Sequence, residues 1–171
     1  DVVECIRLLG REPHQYKTLV IDTVDWLEPV VWAEVCAANK WDSIESPGYG
    51  KGYTAATDYW RKLIAELESL RRAKGMEIHL LAHAAIKPFS NPAGDDYSRY
   101  EMKLHRGAAA LLKEWTKCNL FAVHEEFARK DAAKGKAKGV STGRRVVHTQ
   151  RCAAWDAKNR YNLSLTLLLN Y

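Results

Sequence analysis

The sequence holds no C-x-x-C pair: its four cysteines, Cys5, Cys36, Cys118 and Cys152, are widely scattered. That spacing excludes the usual zinc sites and points to reduced, cytosolic thiols that mostly fill core space. No apolar run approaches the roughly 20 residues that a membrane span needs, so no membrane contact is expected. Asp1 to Ile6 lack a basic region followed by an apolar stretch, which excludes a signal peptide; they read as the interior of a helix. Internal repeats are absent. With 47% hydrophobic and 27% charged residues, the composition excludes a disordered or collagen-like polymer. A length of 171 residues fits a single domain over residues 1–171 with a substantial core.

Acidic charge is scarce toward the C-terminus. Residues 1–128 carry 16 basic and 19 acidic groups, whereas residues 129–171 carry ten basic groups against only Asp131 and Asp156. Such asymmetry suits a surface that meets a polyanion; the plain alternative is a solvated Lys/Gly loop that keeps the protein soluble.

The pattern along the chain alternates strand and helix. Lys17 to Asp22 is a short apolar run, β-branched in part, that suits a strand buried on both faces of a parallel sheet. Helical spacing follows from Trp26 to about Ala38, with Pro29 in the first turn. Asn39 to Tyr53, rich in glycine and aromatics, predicts a loop. Thr54 to Lys74 predicts a long amphipathic helix with Tyr59, Leu63, Leu67 and Leu70 on one stripe and Gly75 as its cap. Met76 to Ala84 reads as a second buried strand. Ile86 to Lys103 reads as a long loop, Leu104 to Lys117 as a helix, and Asn119 to Glu126 and Arg144 to Arg151 as strands. The Lys/Gly-rich segment 130–143 is expected as a flexible basic hairpin loop between those strands, and Leu163 to Leu169 as a last short strand. The fold class is therefore α/β: a mainly parallel β-sheet flanked by helices, with antiparallel C-terminal edge strands.

Several residues stand where chemistry is done in such folds. Asp22 ends a buried strand, in the crevice where open α/β sheets bind ligands, and could hold Mg²⁺ through water beside a nucleotide. It could instead cap the next helix, a duty that Thr23 or Asp25 could also take. His83 ends the next strand and would face the same crevice, where it could touch a γ-phosphate; a hydrogen-bonded structural histidine is the alternative, a role that suits His79. Tyr49, Lys51, Tyr53, Lys87, Phe89, Arg99 and Lys103 are of the types that stack on bases and meet phosphates of single strands, although Asp95, Asp96 and Glu101 oppose phosphate. Lys158 and Arg160 stand two apart, hence on one side if the segment is extended. They could serve a partner's triphosphate or be plain surface charges.

Taken in order, TLVIDTVDWLE (Thr18 to Glu28), GYGKGYTAATDYW (Gly48 to Trp60), HLLAHAAIKPFSNP (His79 to Pro92), YEMKLHRGAAALLKEWTKCNLFAVHE (Tyr100 to Glu125) and RCAAWDAKNRYNL (Arg151 to Leu163) are similar to the RecA superfamily. The resemblance is greatest to phage-encoded, RecA-like P-loop ATPases of AAA type linked to single-strand annealing and recombination. It implies a RecA-like core, ATP and Mg²⁺ as cofactors, and single-stranded DNA as partner. It implies a homo-oligomer, ring or filament, with a single-strand-binding protein as a further partner, in the cytoplasm of a bacterial host. By the same resemblance Asp22 looks like the Walker B acid, with Thr23 beside the nucleotide, and His83 takes the sensor position. The loops Ser43 to Tyr53 and Ile86 to Lys103 take the places of the DNA-binding loops, joined by the basic Lys134, Lys136 and Lys138. Lys158 and Arg160 look like lysine and arginine fingers.

The chain departs from that pattern in three ways. No G-x-x-x-x-G-K-[ST] occurs, and Gly48 to Gly52 imitates it poorly. The catalytic glutamate of an earlier strand is missing; both elements are expected upstream in a complete relative, so that this chain alone would be inactive as an ATPase. Position 162 is Asn where relatives tend to carry Gly. Two other functions stay open: a nucleic-acid-binding module that does not hydrolyse nucleotide, and a RecA-fold regulatory ATPase acting on proteins.

Overall fold

The computed structural model describes residues 2–130 and 137–169. By their contacts the residues gather into two compact units, Asp1–Ala85 with Met102–Trp115, and Ile86–Glu101 with Thr116–Tyr171.

The first unit is organised by one long helix. In α3 (Lys51–Lys74) the buried residues Gly52, Ala56, Trp60, Leu63, Leu67 and Leu70 recur every three or four positions, which puts them on one stripe. Trp60 leads that stripe in place of Tyr59, which is only partly buried beside the core. Helices α1 (Val2–Arg11), α2 (Val24–Asn39) and α4 (Arg106–Trp115) each pack on α3. Thr23 caps α2, its hydroxyl accepting from the Trp26 N–H at 3.4 Å. Because α2 begins at Val24, Pro29 lies in the second turn and not the first, and it has no N–H to donate to the Asp25 carbonyl. Lys51 to Tyr53, expected in a loop, already belong to α3. A Cβ on Gly52 would lie 1.8 Å from the Ile44 carbonyl oxygen, so the absence of a side chain is what lets the preceding loop lie against the helix.

Strands β1 (Thr18–Ile21) and β2 (Glu77–Leu80) form a parallel ladder from Thr18↔Glu77 to Ile21↔Leu80. Only one of its faces is covered. Leu19, Ile21, Ile78 and Leu80 are half-buried, while Thr18, Val20, Glu77 and His79 are exposed, Val20 to 52%. This corrects the expectation of strands buried on both faces. A run apolar in both registers reads as doubly covered, but one side here has no packing partner among the described residues.

The expected mainly parallel sheet gives way to small sheets, with antiparallel pairing of Cys118–Asn119 with Lys158–Asn159, of Phe121–Lys130 with Ala137–His148, and of Ala137–His148 with Thr166–Leu168. The segment Ile86 to Lys103, expected as a loop, contains β3 (Ala84–Phe89) and β4 (Tyr97–Met102), which pair as a two-stranded sheet. In the second unit, β6 (Phe121–Lys130) and β7 (Ala137–His148) pair from Phe121↔His148 to Lys130↔Ala137 with an irregularity between His124 and Glu126. Of the expected 130–143 hairpin, Lys130 and residues 137–143 belong to these paired strands; residues 131–136 lie outside the described residues. Cross-strand neighbours Phe121 and His148 lie under the Trp155 ring, with centroids 5.6 and 4.0 Å away and planes nearly parallel. β9 (Thr166–Leu168) extends this sheet, and β8 (Lys158–Asn159) pairs with β5 (Cys118–Asn119). Cys5 and Cys152 are exposed, so core filling suits only the half-buried Cys36 and Cys118. Among the described residues no helix is long and apolar enough to cross a membrane.

Candidate functional site

Parallel pairing brings the ends of β1 and β2 side by side. The ladder runs on past both strands, with the Leu81 N–H donating to the Ile21 carbonyl at 2.9 Å and the Val24 N–H to the Leu81 carbonyl at 2.8 Å. Asp22 lies within that extension, exposed, with a cis peptide to Thr23. Among the described residues its carboxylate has no hydrogen bond or ion pair. The Thr23 hydroxyl accepts from the Trp26 N–H at the cap of α2 and donates to the Asp25 carboxylate.

His83 follows β2 at the same end, and its partner comes from the start of α2. The Asp25 carboxylate accepts from the His83 backbone N–H at 3.0 Å and from its ring Nδ1 at 2.9 Å. The Asp25 side chain is 4% exposed and that of His83 60% exposed, so a buried acid holds an open imidazole. Burial alone would raise the Asp25 pKa. Hydrogen bonds from the His83 backbone, the Thr23 hydroxyl and the His83 ring outweigh it and hold the pKa at about 2, below the ordinary 3.8. The His83 carbonyl in turn accepts from the Lys103 N–H at 2.8 Å. From the sequence Asp25 is legible only as a cap, since nothing local signals a partner 58 residues away.

A family model for the AAA domain matches residues 1–161. The chain belongs to the AAA-domain family. No curated protein and no solved structure matches it significantly. Membership makes it an ATPase-type domain for nucleotide, and the residues present answer to that in part. Mg²⁺ keeps several waters and takes one or two carboxylates beside phosphates, so one exposed Asp22 at a strand end fits it. Among the described residues no group of three His, Cys, Asp or Glu forms a protein-made metal cage. The phosphate side does not fit, because the glycines of the Gly48 to Gly52 segment serve the start of α3 and its contact with Ile44.

The remaining predicted residues of this AAA domain divide between the two units. Tyr49 and Lys51 are exposed, Tyr49 with a positive φ of 50°. Tyr53 is committed: its hydroxyl donates to Glu45 at 3.0 Å, which raises its pKa, and its ring stacks on His105 at 4.5 Å. Arg99 is committed as well, bound to Glu101 at 2.8 and 2.6 Å and lying 3.9 Å over the Phe89 ring. Lys87 is half-buried and Lys103 exposed. Lys134 and Lys136 lie outside the described residues, and of Lys138 only the backbone, paired with Arg129, is described.

Of the segment expected to carry the two cations, Lys158 and Asn159 form a strand, Arg160 is exposed in a bend, and Asn162 has a φ of 54°. Asn159, between the two cations, shapes this turn. Its amide donates to the Leu163 carbonyl at 3.0 Å and its side-chain oxygen accepts from the Tyr161 N–H at 3.0 Å.

Proposed function

We propose that this AAA domain is the core of a RecA-like ATPase that binds single-stranded DNA in an ATP-dependent way and serves phage recombination, annealing or repair. The observation that carries the reading is the pair Asp22 and His83 at the C-terminal ends of adjacent parallel strands, in a chain of this family. Asp22 holds Mg²⁺ through water. Bound Mg²⁺ supplies neutralisation of the charge that develops on the transferred phosphoryl group. His83 turns its open ring toward the terminal phosphate. Tyr49, Lys51 and Lys103 of the first unit meet DNA, and so do Lys87, Lys134, Lys136 and Lys138 of the second, where Phe89 and Arg99 support Lys87. Tyr53, in the first turn of α3, anchors the preceding loop through its hydrogen bond to Glu45 while its ring stacks on His105. In a ring or filament of identical subunits, Lys158 and Arg160 reach a neighbour's nucleotide, and a single-strand-binding protein delivers the DNA in the bacterial cytoplasm.

The test is DNA-stimulated ATP hydrolysis by full-length protein. Lys158→Ala or Arg160→Ala should lower turnover by about 10³ to 10⁵, as loss of a finger does. Mixing either with Asp22→Asn should restore part of it, because a hybrid interface pairs an intact metal acid with intact fingers. Full activity in the finger variants, or failure of every mixture to recover, would refute the trans assignment. DNA binding without any turnover would point to a non-hydrolysing module, and turnover stimulated by a protein but not by DNA to a regulatory ATPase.

A further inference from the structure

The residues around His83 contain more than a strand-end histidine. All of its polar groups but one are held. The backbone N–H and ring Nδ1 go to Asp25, and the backbone carbonyl takes the Lys103 N–H at 2.8 Å. Ring Nε2 has no hydrogen bond among the described residues, and the side chain that carries it is 60% exposed. The next residue, Ala84, begins β3, and Lys103 directly follows β4. Within the first unit, His83 and Lys103 therefore flank the β3–β4 segment in the chain and are joined to each other by that hydrogen bond.

We propose that Asp25 is a positioning residue that fixes the His83 imidazole in the Nδ1–H tautomer with Nε2 outward, and so makes His83 the anchor of both ends of the β3–β4 segment. This deepens, and rests on, the reading of His83 as the group that faces the terminal phosphate. An ionised carboxylate can only accept, so the ring nitrogen that meets it must carry the proton. The hydrogen bond at one imidazole nitrogen sets what the other can offer. Because the same carboxylate also holds the His83 N–H, ring and backbone share one anchor, and a shift of the ring is felt at the Lys103 bond and at Ala84. Asp25 touches no ligand itself and acts through His83.

The test uses Asp25→Asn, which keeps the shape and can still accept the backbone N–H while presenting an amide N–H to the ring. In ¹⁵N spectra of this chain, wild-type His83 should show the Nδ1–H tautomer and Asp25→Asn the Nε2–H tautomer. Exchange of the Lys103 amide should be at least about tenfold faster in the variant, since every factor of ten is about 1.4 kcal/mol of lost protection. In full-length protein, Asp25→Asn should lower kcat by about tenfold or more with a small change in KM, and should add nothing in a His83→Ala background. A wild-type Nε2–H ring, an unchanged ring in the variant, or additive effects in the double variant would overturn the proposal. The wild-type spectrum decides it even if Asp25→Asn does not fold. A tautomer that switches as expected, with His83→Ala hydrolysing ATP at the wild-type rate, would leave Asp25 as the positioning residue and refute the phosphate-facing role of His83.

Discussion

Replacing Asp25 with alanine should cost the fold about 2 kcal/mol at neutral pH, and the cost should shrink in acid. The carboxylate is 4% exposed and accepts from the His83 backbone and ring at 3.0 and 2.9 Å. Its pKa of about 2 lies below the ordinary 3.8, because those hydrogen bonds and that from Thr23 outweigh the effect of burial. At about 1.36 kcal/mol per pKa unit, the ionised form favours the folded chain by roughly 2.4 kcal/mol. Solvent reaches the open His83 ring, so about 2 kcal/mol or slightly less is the expected net value. A depressed carboxyl pKa stabilises fully above the unfolded value and is lost as pH falls through the folded one. The gap should therefore be complete above about pH 5, fall by about half near pH 3, and vanish below pH 2. Urea unfolding of both proteins at about pH 7 and about pH 3 measures it. A gap under about 0.5 kcal/mol at neutral pH, or one equal at both, would refute the assignment of Asp25 as a charged, hydrogen-bonded anchor.

Two further outcomes follow from other parts of the molecule. Gly52→Ala should destabilise the chain by about 3 kcal/mol, because a Cβ 1.8 Å from the Ile44 carbonyl oxygen forces backbone apart; a change within about 0.5 kcal/mol in urea unfolding would mean the loop yields freely. Single-stranded DNA affinity should fall with salt, each neutralised phosphate adding about −0.7 to the log–log slope; charge reversal at Lys134, Lys136 and Lys138 should flatten that slope, and an unchanged slope would remove them from the interface.

The helical stripe of α3 was legible because burial on one face imposes a three-or-four spacing that Leu63, Leu67 and Leu70 display openly. β1 was legible as a strand, but its open face was not: Leu19 and Val20 are equally apolar, and composition cannot say which one is covered. β3 and β4 were hidden because their half-buried row carries Lys87, Arg99 and Glu101, charges that a stacked guanidinium and an ion pair accommodate. Pro88 and the Asn, Gly and Asp residues nearby then read as loop. Asp22 and His83 could be singled out because a polar residue closing an apolar run is visible locally. Asp25 could not be assigned to His83, because their pairing exists only once β1 and β2 lie side by side. The resemblance expected Gly at 162; Asn tolerates a positive φ better than most other residues, and the backbone there adopts one.

Both compact units are made of two separate stretches of chain, which constrains how the protein can be made or divided. A ribosome adds about 5 to 20 residues per second, and domains tend to fold as their chain emerges. Here the partners of α3 on α4, Ala108, Ala109 and Leu112, emerge only after Ile86–Glu101 of the other unit. The first unit thus waits for an interruption to pass, and the second waits for Thr116–Tyr171 to join a stretch made earlier. A gene cut after Ala85 would yield a helical half without its fourth helix, and a gene begun at Thr116 would yield a sheet without the strand that carries Tyr100, whose N–H bonds the Ala154 carbonyl at 2.8 Å. A split that preserves both units has to carry the crossings with it, as a circular permutant does, and two fragments do not.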